Sequence, residues 1–420
     1  MLAFVITGHT QLTRQKTTIT AYINTHINDA IKLLQQSVNI NSGTLNTAGV
    51  KAVGELYAEK LRLLGFAVEW VPMPDSMHRA GHLVATHKGM KGKRIFLMGH
   101  LDTVFEPDMP AGPFMMTSDS TATGQGIYDM KGGDVLLITA LQALNAAGLL
   151  QDMNIVVYLT GDEERTGAPH GAARKDLIER AKGCDIALSF EPAMDMHQVA
   201  TARRGITTWK LSVIAKTGHS SIVFSNQLGY GAIFEAARVL NSFREQLSGE
   251  QYLTFNPGLI AGGATLQPST EGASITVSGK TNIVAPTTTV SGDLRYLTST
   301  QRNNAIAKMQ AIVAHPLNGA SSTITFEESA PPMEPTAGNL RLLSVLNKVT
   351  IDMGIGASTA GDPGSRGAGD IQDIAQYLDC LDGLGAPGDG AHRAGETVNL
   401  KQFPLLINRA AMLVYRLAKE

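Results

Sequence analysis

Apolar residues at Ile19, Tyr22, Ile23, Ile27, Ala30, Ile31 and Leu34 recur in steps of three and four, the period of a helix that buries one face. A second helix is predicted from about Thr47 to Leu64, where Gly65 stops it. Short β-like runs follow at Ala67 to Val71, His82 to Thr86 and Arg94 to Met98. The stretch DMKGGDVLLITALQALNAAGLL, which begins at Asp129, predicts a long buried helix with an acidic first turn. Asn154 to Thr160 predicts an interior strand and Ala172 to Ala181 another helix. Cys184 to Phe190 is apolar almost without a break, as expected of a strand in a sheet covered on both faces. This alternation is the rhythm of an α/β core.

After Thr201 the texture changes. Strands are expected at Thr208 to Lys216, Thr254 to Gly262, through Ile275 to Leu297, and at Ser322 to Glu327, with helices at Tyr230 to Glu245 and Thr300 to Ala314. That order suits a separate α+β module, two helices on one face of a small sheet, inserted into the first domain. Pro331-Pro332-Met333-Glu334-Pro335 reads as its exit linker. A further helix, a Gly-rich loop (Gly361 to Gly369), apolar turns around Tyr377 to Gly385 and a helix from Lys401 then complete the first domain. No internal repeat interrupts this plan.

Length and composition narrow the possibilities. A chain of 420 residues, 43% hydrophobic and 17% charged, suits two or three folded units and not a disordered chain. Lys and Arg number 35 against 37 for Asp and Glu, so a net charge of -2 offers no basic field for a phosphate backbone, and nucleic acid is not an expected partner. Cys184 and Cys380 sit singly in apolar runs, which suggests core packing and not metal or redox chemistry. No apolar run reaches the ~20 residues of a membrane span. Leu2 to Ile6 is shorter than the ~7 to 15 residues of a signal core, which favours the cytoplasm; an altered or trimmed N-terminus would leave a periplasmic or secreted location open.

The chemistry lies where the strands end. Arg94 to Met98 runs into Gly99-His100-Leu101-Asp102, Asn154 to Thr160 into Gly161-Asp162-Glu163-Glu164, and Cys184 to Phe190 into Glu191-Pro192. Ligands of open α/β sheets bind at that carboxyl edge. Asp129 follows the turn GQGIYD, and His392 lies in the loop GLGAPGDGAHRAGE. Taken singly, each has an ordinary explanation: a capping Asp beside a loop His, a carboxylate favoured by a helix dipole, or a solvated turn. Their joint placement points to a metal site. Two imidazoles with three carboxylates suit zinc better than calcium or magnesium, and are more than one zinc requires. Two ions sharing one carboxylate and clamping a water is the economical arrangement. Asp102 would orient His100, and of the pair Glu163-Glu164 one would bind metal while the other faces the water as base.

In order, GHLDTV, the Gly124 to Gly133 segment, GDEE, SFEP and GLGAPGDGAH resemble the family of di-zinc exopeptidases and deacylases that includes glutamate carboxypeptidase, acetylornithine deacetylase and succinyl-diaminopimelate desuccinylase. The resemblance runs from about Ile19 onward, and Ser189-Phe190-Glu191-Pro192 with Gly383 to Pro387 brings it nearest the glutamate carboxypeptidase branch. It implies a mixed-sheet α/β zinc-exopeptidase domain (1–202 and 328–420) carrying an inserted ferredoxin-like lid and dimerisation domain (203–327). It further implies two Zn2+ per chain, with Co2+ or Mn2+ as substitutes. His100 and Glu191 would complete one site, Glu164 and His392 the other, Asp129 would bridge, and Glu163 would be the base. In the lid, His219 would donate to the substrate carbonyl oxygen, often from the partner subunit of a homodimer. Asn282 and Arg295 match positions that hold substrate, Arg203 is a further candidate for a carboxylate partner, and Gly369 belongs to a loop resembling the one beside the substrate carboxylate. Ala368 replaces that loop's usual Gly, and Phe326 to Ser329 lacks an Arg found in the glutamate-specific branch, so selectivity for a C-terminal glutamate does not carry over.

The expected activity is hydrolysis, by a metal-bridged hydroxide, of an amide bond next to a free carboxylate in a small peptide or N-acyl amino acid. An aminopeptidase or dipeptidase that recognises a free amine is the alternative, and a non-catalytic binding protein on the same fold a third reading.

Overall fold

The continuous apolar runs become the central strands of a six-stranded mixed sheet in the computed structural model, which describes residues 3–269 and 274–420, with side chains from residue 15 onward. Leu2, where the short N-terminal apolar run begins, lies outside the described residues. The strands lie in the order Ala67–Val71, His82–His87, Met153–Thr160, Lys91–His100, Ile186–Ser189, Asp379–Leu381. The last four run parallel to one another, and the first two form an antiparallel margin. Parallel strands need cover on both faces. Ile95 to Met98, Ile155 to Leu159 and Ile186 to Leu188 are accordingly buried. Helices Ala3–Val38, Gly132–Ala146, Ala337–Asp352 and Phe403–Leu417 contribute to one continuous core with the sheet. Each fully buried Leu, Ile or Phe there is worth roughly 1.5 to 3 kcal/mol over its exposed state.

The chain divides into two compact units. One comprises Met1–Thr201, Pro335–Ser365 and Gly369–Glu420, the other Ala202–Glu334 with Arg366–Ala368. In the second, strands Gly205–Ala215, Thr254–Gly263, Thr287–Tyr296 and Ala320–Ala330 alternate with helices Gly231–Leu247 and Ser299–Val313. The sheet order is second, third, first, fourth, all antiparallel, which is the ferredoxin-like arrangement. Trp209, Leu211, Val213, Val290, Leu294 and Tyr296 join Val239, Phe243, Met309 and Val313 of the helices in its core. Along the first strand Thr208, Lys210 and Ile214 alternate with them and are exposed.

Four local expectations change. The first helix covers Ala3–Val38, beginning well before Ile19. Tyr377 to Gly385, expected as turns, contributes Asp379–Leu381 as an edge strand parallel to Ile186–Ser189; three residues are too short to display a period. The helix expected from Ala172 to Ala181 is two pieces, His170–Ala173 and Lys175–Ala181, meeting at Arg174. Regular helix begins at Gly132, not at Asp129, whose φ of -117° and ψ of 97° are extended. The carboxylate of Glu396 accepts the backbone N–H groups of Gly126, Tyr128 (3.3 Å) and Asp129 (3.2 Å), so these donors are satisfied without a helix.

Candidate metal centre

Close packing of backbone sets the position of Glu191. A Cβ at Gly133, in the first turn of helix Gly132–Ala146, would overlap the Phe190 carbonyl, and so would a Cβ at Gly385. The second glycine of DMKGG and the middle glycine of GLGAPG therefore clamp the peptide that precedes Glu191. His100 is the last residue of its strand and buried, with 1% of its side chain exposed. Its Nδ1 lies 3.0 Å from the Asp102 carbonyl oxygen. A carbonyl only accepts, so Nδ1 carries the proton and the Nε2 lone pair faces the site.

That lone pair faces carboxylates. His100 Nε2 is 3.1 Å from Asp129 Oδ1 and 3.7 Å from Glu191 Oε1. His392 Nε2 is 3.2 Å from Asp129 Oδ2 and 3.2 Å from Glu164 Oε2. Asp129 thus stands between two imidazoles, one oxygen toward each. His100, Asp129 and Glu164 each offer a ligand atom within 4.8 Å of the others. His392 adopts a left-handed backbone, with φ of 64°, in its Gly-rich loop.

Electrostatics say what this set lacks. Hydrogen bonds donated to Asp129 and Glu164 raise His392 to about 11. Burial favours the neutral form of His100, yet the carboxylates of Asp129, Glu191 and Glu163 push it well above the ordinary imidazole range. Burial and then the carboxylates of Glu191, Asp370 and Glu164, opposed by His100, push Glu163 well above the ordinary carboxyl range. The cluster is short of positive charge. Glu164 Oε1 is also buried with no hydrogen-bond partner, an arrangement that is costly unless a cation meets it. Both features fit divalent metal held by these residues, whatever its identity.

Asp102, expected to orient His100, meets its Nδ1 with the backbone carbonyl and turns its carboxylate elsewhere. Its carboxylate is 3.6 Å from His100 Nδ1 and instead accepts the N–H groups of Glu163 (3.0 Å) and Glu164 (3.1 Å) and the Thr44 hydroxyl (2.6 Å). It fixes the turn that carries both glutamates. Burial pushes its carboxyl up to about 7. Glu396 and Thr44 escaped sequence reasoning because their partners are backbone donors or a residue distant in sequence.

The remaining candidates separate. In the second unit His219 Nδ1 accepts the Ser221 N–H at 3.2 Å, which leaves the proton on Nε2, an exposed donor. The Ser220 N–H donates to the Asn282 carbonyl at 2.8 Å, so His219 and Asn282 stand on adjoining turns. Arg295 pairs with Asp293 at 2.8 Å. Arg203, expected as a partner for a substrate carboxylate, is buried and donates to the carbonyls of Gly367 (3.1 Å) and Ala368 (2.7 Å). These bonds hold that loop. Gly369, in the first unit, is buried and donates its N–H to Gln372 at 2.9 Å.

A model of peptidase family M20/M25/M40 matches residues 96–416. Carboxypeptidase G2 of Pseudomonas sp. (strain RS-16) is 26% identical over 391 residues, 91% of this chain and 88% of that protein. Acetylornithine deacetylase of Klebsiella pneumoniae (strain 342) is 31% identical over 221 residues, 50% of this chain and 55% of that one. Among solved structures, a tripeptidase of Staphylococcus aureus superposes with a TM-score of 0.72 at 18% identity, covering 94% of this chain and 99% of the other. No helix among the described residues is long and apolar enough to cross a membrane.

Proposed function

The chain belongs to peptidase family M20/M25/M40, and we propose that it cleaves an amide bond next to a free carboxylate, in a small peptide or an N-acyl amino acid. A carboxypeptidase and a deacetylase among its relatives both cleave amide bonds, as their names say. The observation that carries the reading is the Asp129 carboxylate set between His100 and His392, with Glu191 beside one imidazole and Glu164 beside the other. His100 and Glu191 would hold one ion, Glu164 and His392 a second, with Asp129 shared, and zinc suits that mixed donor set. When bound, such ions supply Lewis-acid charge for a carbonyl oxygen and lower the pKa of water.

The protein's own groups do the rest. Glu163, raised in proton affinity, accepts the proton of the attacking water and delivers it to the leaving amine. Asp102 keeps Glu163 at its station through the backbone. The first unit serves as the catalytic domain and the second as a lid and dimerisation domain. Its His219, with the proton on Nε2, donates to the substrate carbonyl oxygen within a homodimer; Asn282 and Arg295 bear on substrate. Replacing His219 by Ala should lower turnover far more than metal content, and equal loss of both would assign it a structural role. Sedimentation should give a dimer; a monomer at working concentration would remove supply of His219 from a partner.

The direct test is elemental analysis beside hydrolysis of N-acyl amino acids and of dipeptides with free and blocked ends, before and after chelation. About two zinc ions per chain, with chelator-sensitive cleavage confined to substrates that keep a free carboxylate, is the expected result. Cleavage that instead follows the free amine would make the enzyme an aminopeptidase or dipeptidase. Absence of both metal and cleavage after zinc is restored would leave a binding protein on this fold.

A further inference from the structure

Arg174 is a fully buried guanidinium that holds no metal-binding residue directly. Nη1 donates to Asp162 Oδ1 at 2.6 Å, and Nη2 to the Asp162 carbonyl at 3.2 Å and to the Thr166 hydroxyl at 3.1 Å. Nε donates to Asp370 Oδ1 at 2.9 Å. Asp370 in turn accepts the Thr160 hydroxyl at 2.6 Å, and Asp162 Oδ2 accepts the Gly167 N–H at 2.8 Å. Asp373 lies 3.5 Å from Nε and also pairs with His170 at 2.8 Å. The segment leaving strand Met153–Thr160 is therefore gripped along its length. Thr160 is tied by Asp370, Gly161 by His82 at 3.3 Å, Glu163 and Glu164 by Asp102, and Asp162 with Thr166 by Arg174.

Stability alone is a poor reason for this assembly. Desolvating a guanidinium and two carboxylates costs several kcal/mol per ion, and well-packed apolar replacements of such groups are often neutral or stabilising. What the ions add is direction, because a planar fork fixes the angle of each carboxylate it grips. The residue so directed at one end, Asp162, immediately precedes Glu163. At the other, Asp370 holds the Thr160 hydroxyl, so the same guanidinium also ties the strand end from which the turn departs.

We propose that Arg174 is a positioning residue for hydrolysis, tying the turn that carries Glu163 to the loop that carries Asp370 and so setting where the Glu163 carboxylate stands. The proposal rests on the reading of Glu163 as the base. A misplacement of about 1 Å costs up to ~100-fold in rate, and loss of an outer partner at a metal site roughly 10- to 100-fold.

The test compares Arg174→Met, Arg174→Lys, Glu163→Gln and the Arg174→Met/Glu163→Gln double variant, each as full chain with metal content measured. Arg174→Met should keep its metal yet lose about 10- to 100-fold in kcat with KM changed less than about threefold. Arg174→Lys, which keeps the charge without the fork, should recover part of that loss. In the Glu163→Gln background the same substitution should cost little further, because the group it positions is already gone. A merely structural Arg174 would instead lower metal content and multiply its effect with that of Glu163. Normal kcat in metal-loaded Arg174→Met overturns the proposal while leaving Glu163 as base. Normal kcat in Glu163→Gln overturns the reading beneath it. Should Arg174→Met not fold, Thr160→Val cuts the Asp370 tie at its other end, and a several-fold loss of kcat at full metal content is expected there, with no loss overturning the proposal.

Discussion

Glu163→Gln should retain its full complement of metal and lose about 100- to 10,000-fold in turnover, which is the usual worth of a positioned general base and equals roughly 3 to 5 kcal/mol of barrier. The amide matches the carboxylate in shape but cannot take up a proton. Nothing that locates the turn depends on the lost charge, since Asp102 holds Glu163 and Glu164 through their backbone N–H groups. The carboxylates of Asp129, Glu164 and Glu191 are untouched. Replacing a carboxyl whose anion is disfavoured first by burial and then by the neighbouring carboxylates should leave thermal stability equal or slightly higher. Steady-state kinetics, metal analysis and a melting curve on one preparation separate these effects. Near-normal turnover would remove Glu163 from the chemistry, and loss of metal would recast it as a ligand.

The parts of this centre that sequence discloses share one property: they stand at the ends of long apolar runs. Ile95 to Met98 and Ile155 to Leu159 are buried on both faces, so their ends are unmistakable, and His100 and the Glu163-Glu164 pair follow at once. Asp129 was visible as a residue but not in its conformation, because helical propensity after it masks an extended turn. That turn is held by Glu396, 267 positions further on, through a bond to its backbone N–H that leaves no mark on side-chain pattern. Arg174 is hidden differently. It sits in ARKDLIER, whose alternating charges read as a solvated helix face, yet it is fully buried because Asp162 and Asp370 arrive from distant segments to pair with it. Arg203 is placed by contacts of the same kind: its Nη1 donates to the carbonyls of Gly367 and Ala368, 164 and 165 positions away, which its own neighbours in sequence do not signal. Strand ends are written locally, and what orients the side chains beyond them is written in tertiary contacts.

Asp129→Asn should be the most damaging single change to metal binding, with both ions lost together. One carboxylate oxygen lies 3.1 Å from His100 Nε2 and the other 3.2 Å from His392 Nε2, so each half of the site depends on the same group. An asparagine offers one oxygen and turns an NH2 donor toward the other imidazole, where a lone pair is needed. Its effect on affinity should exceed the roughly 10- to 100-fold that removing an outer partner costs. Glu191→Gln provides the contrast, because Glu191 approaches only the His100 side, at 3.7 Å. Elemental analysis after dialysis against dilute zinc should give close to none per chain for Asp129→Asn and about one for Glu191→Gln. Two ions in Asp129→Asn would show that the halves do not share Asp129, and equal losses in both variants would mean that the ions bind only as a pair whichever ligand is removed.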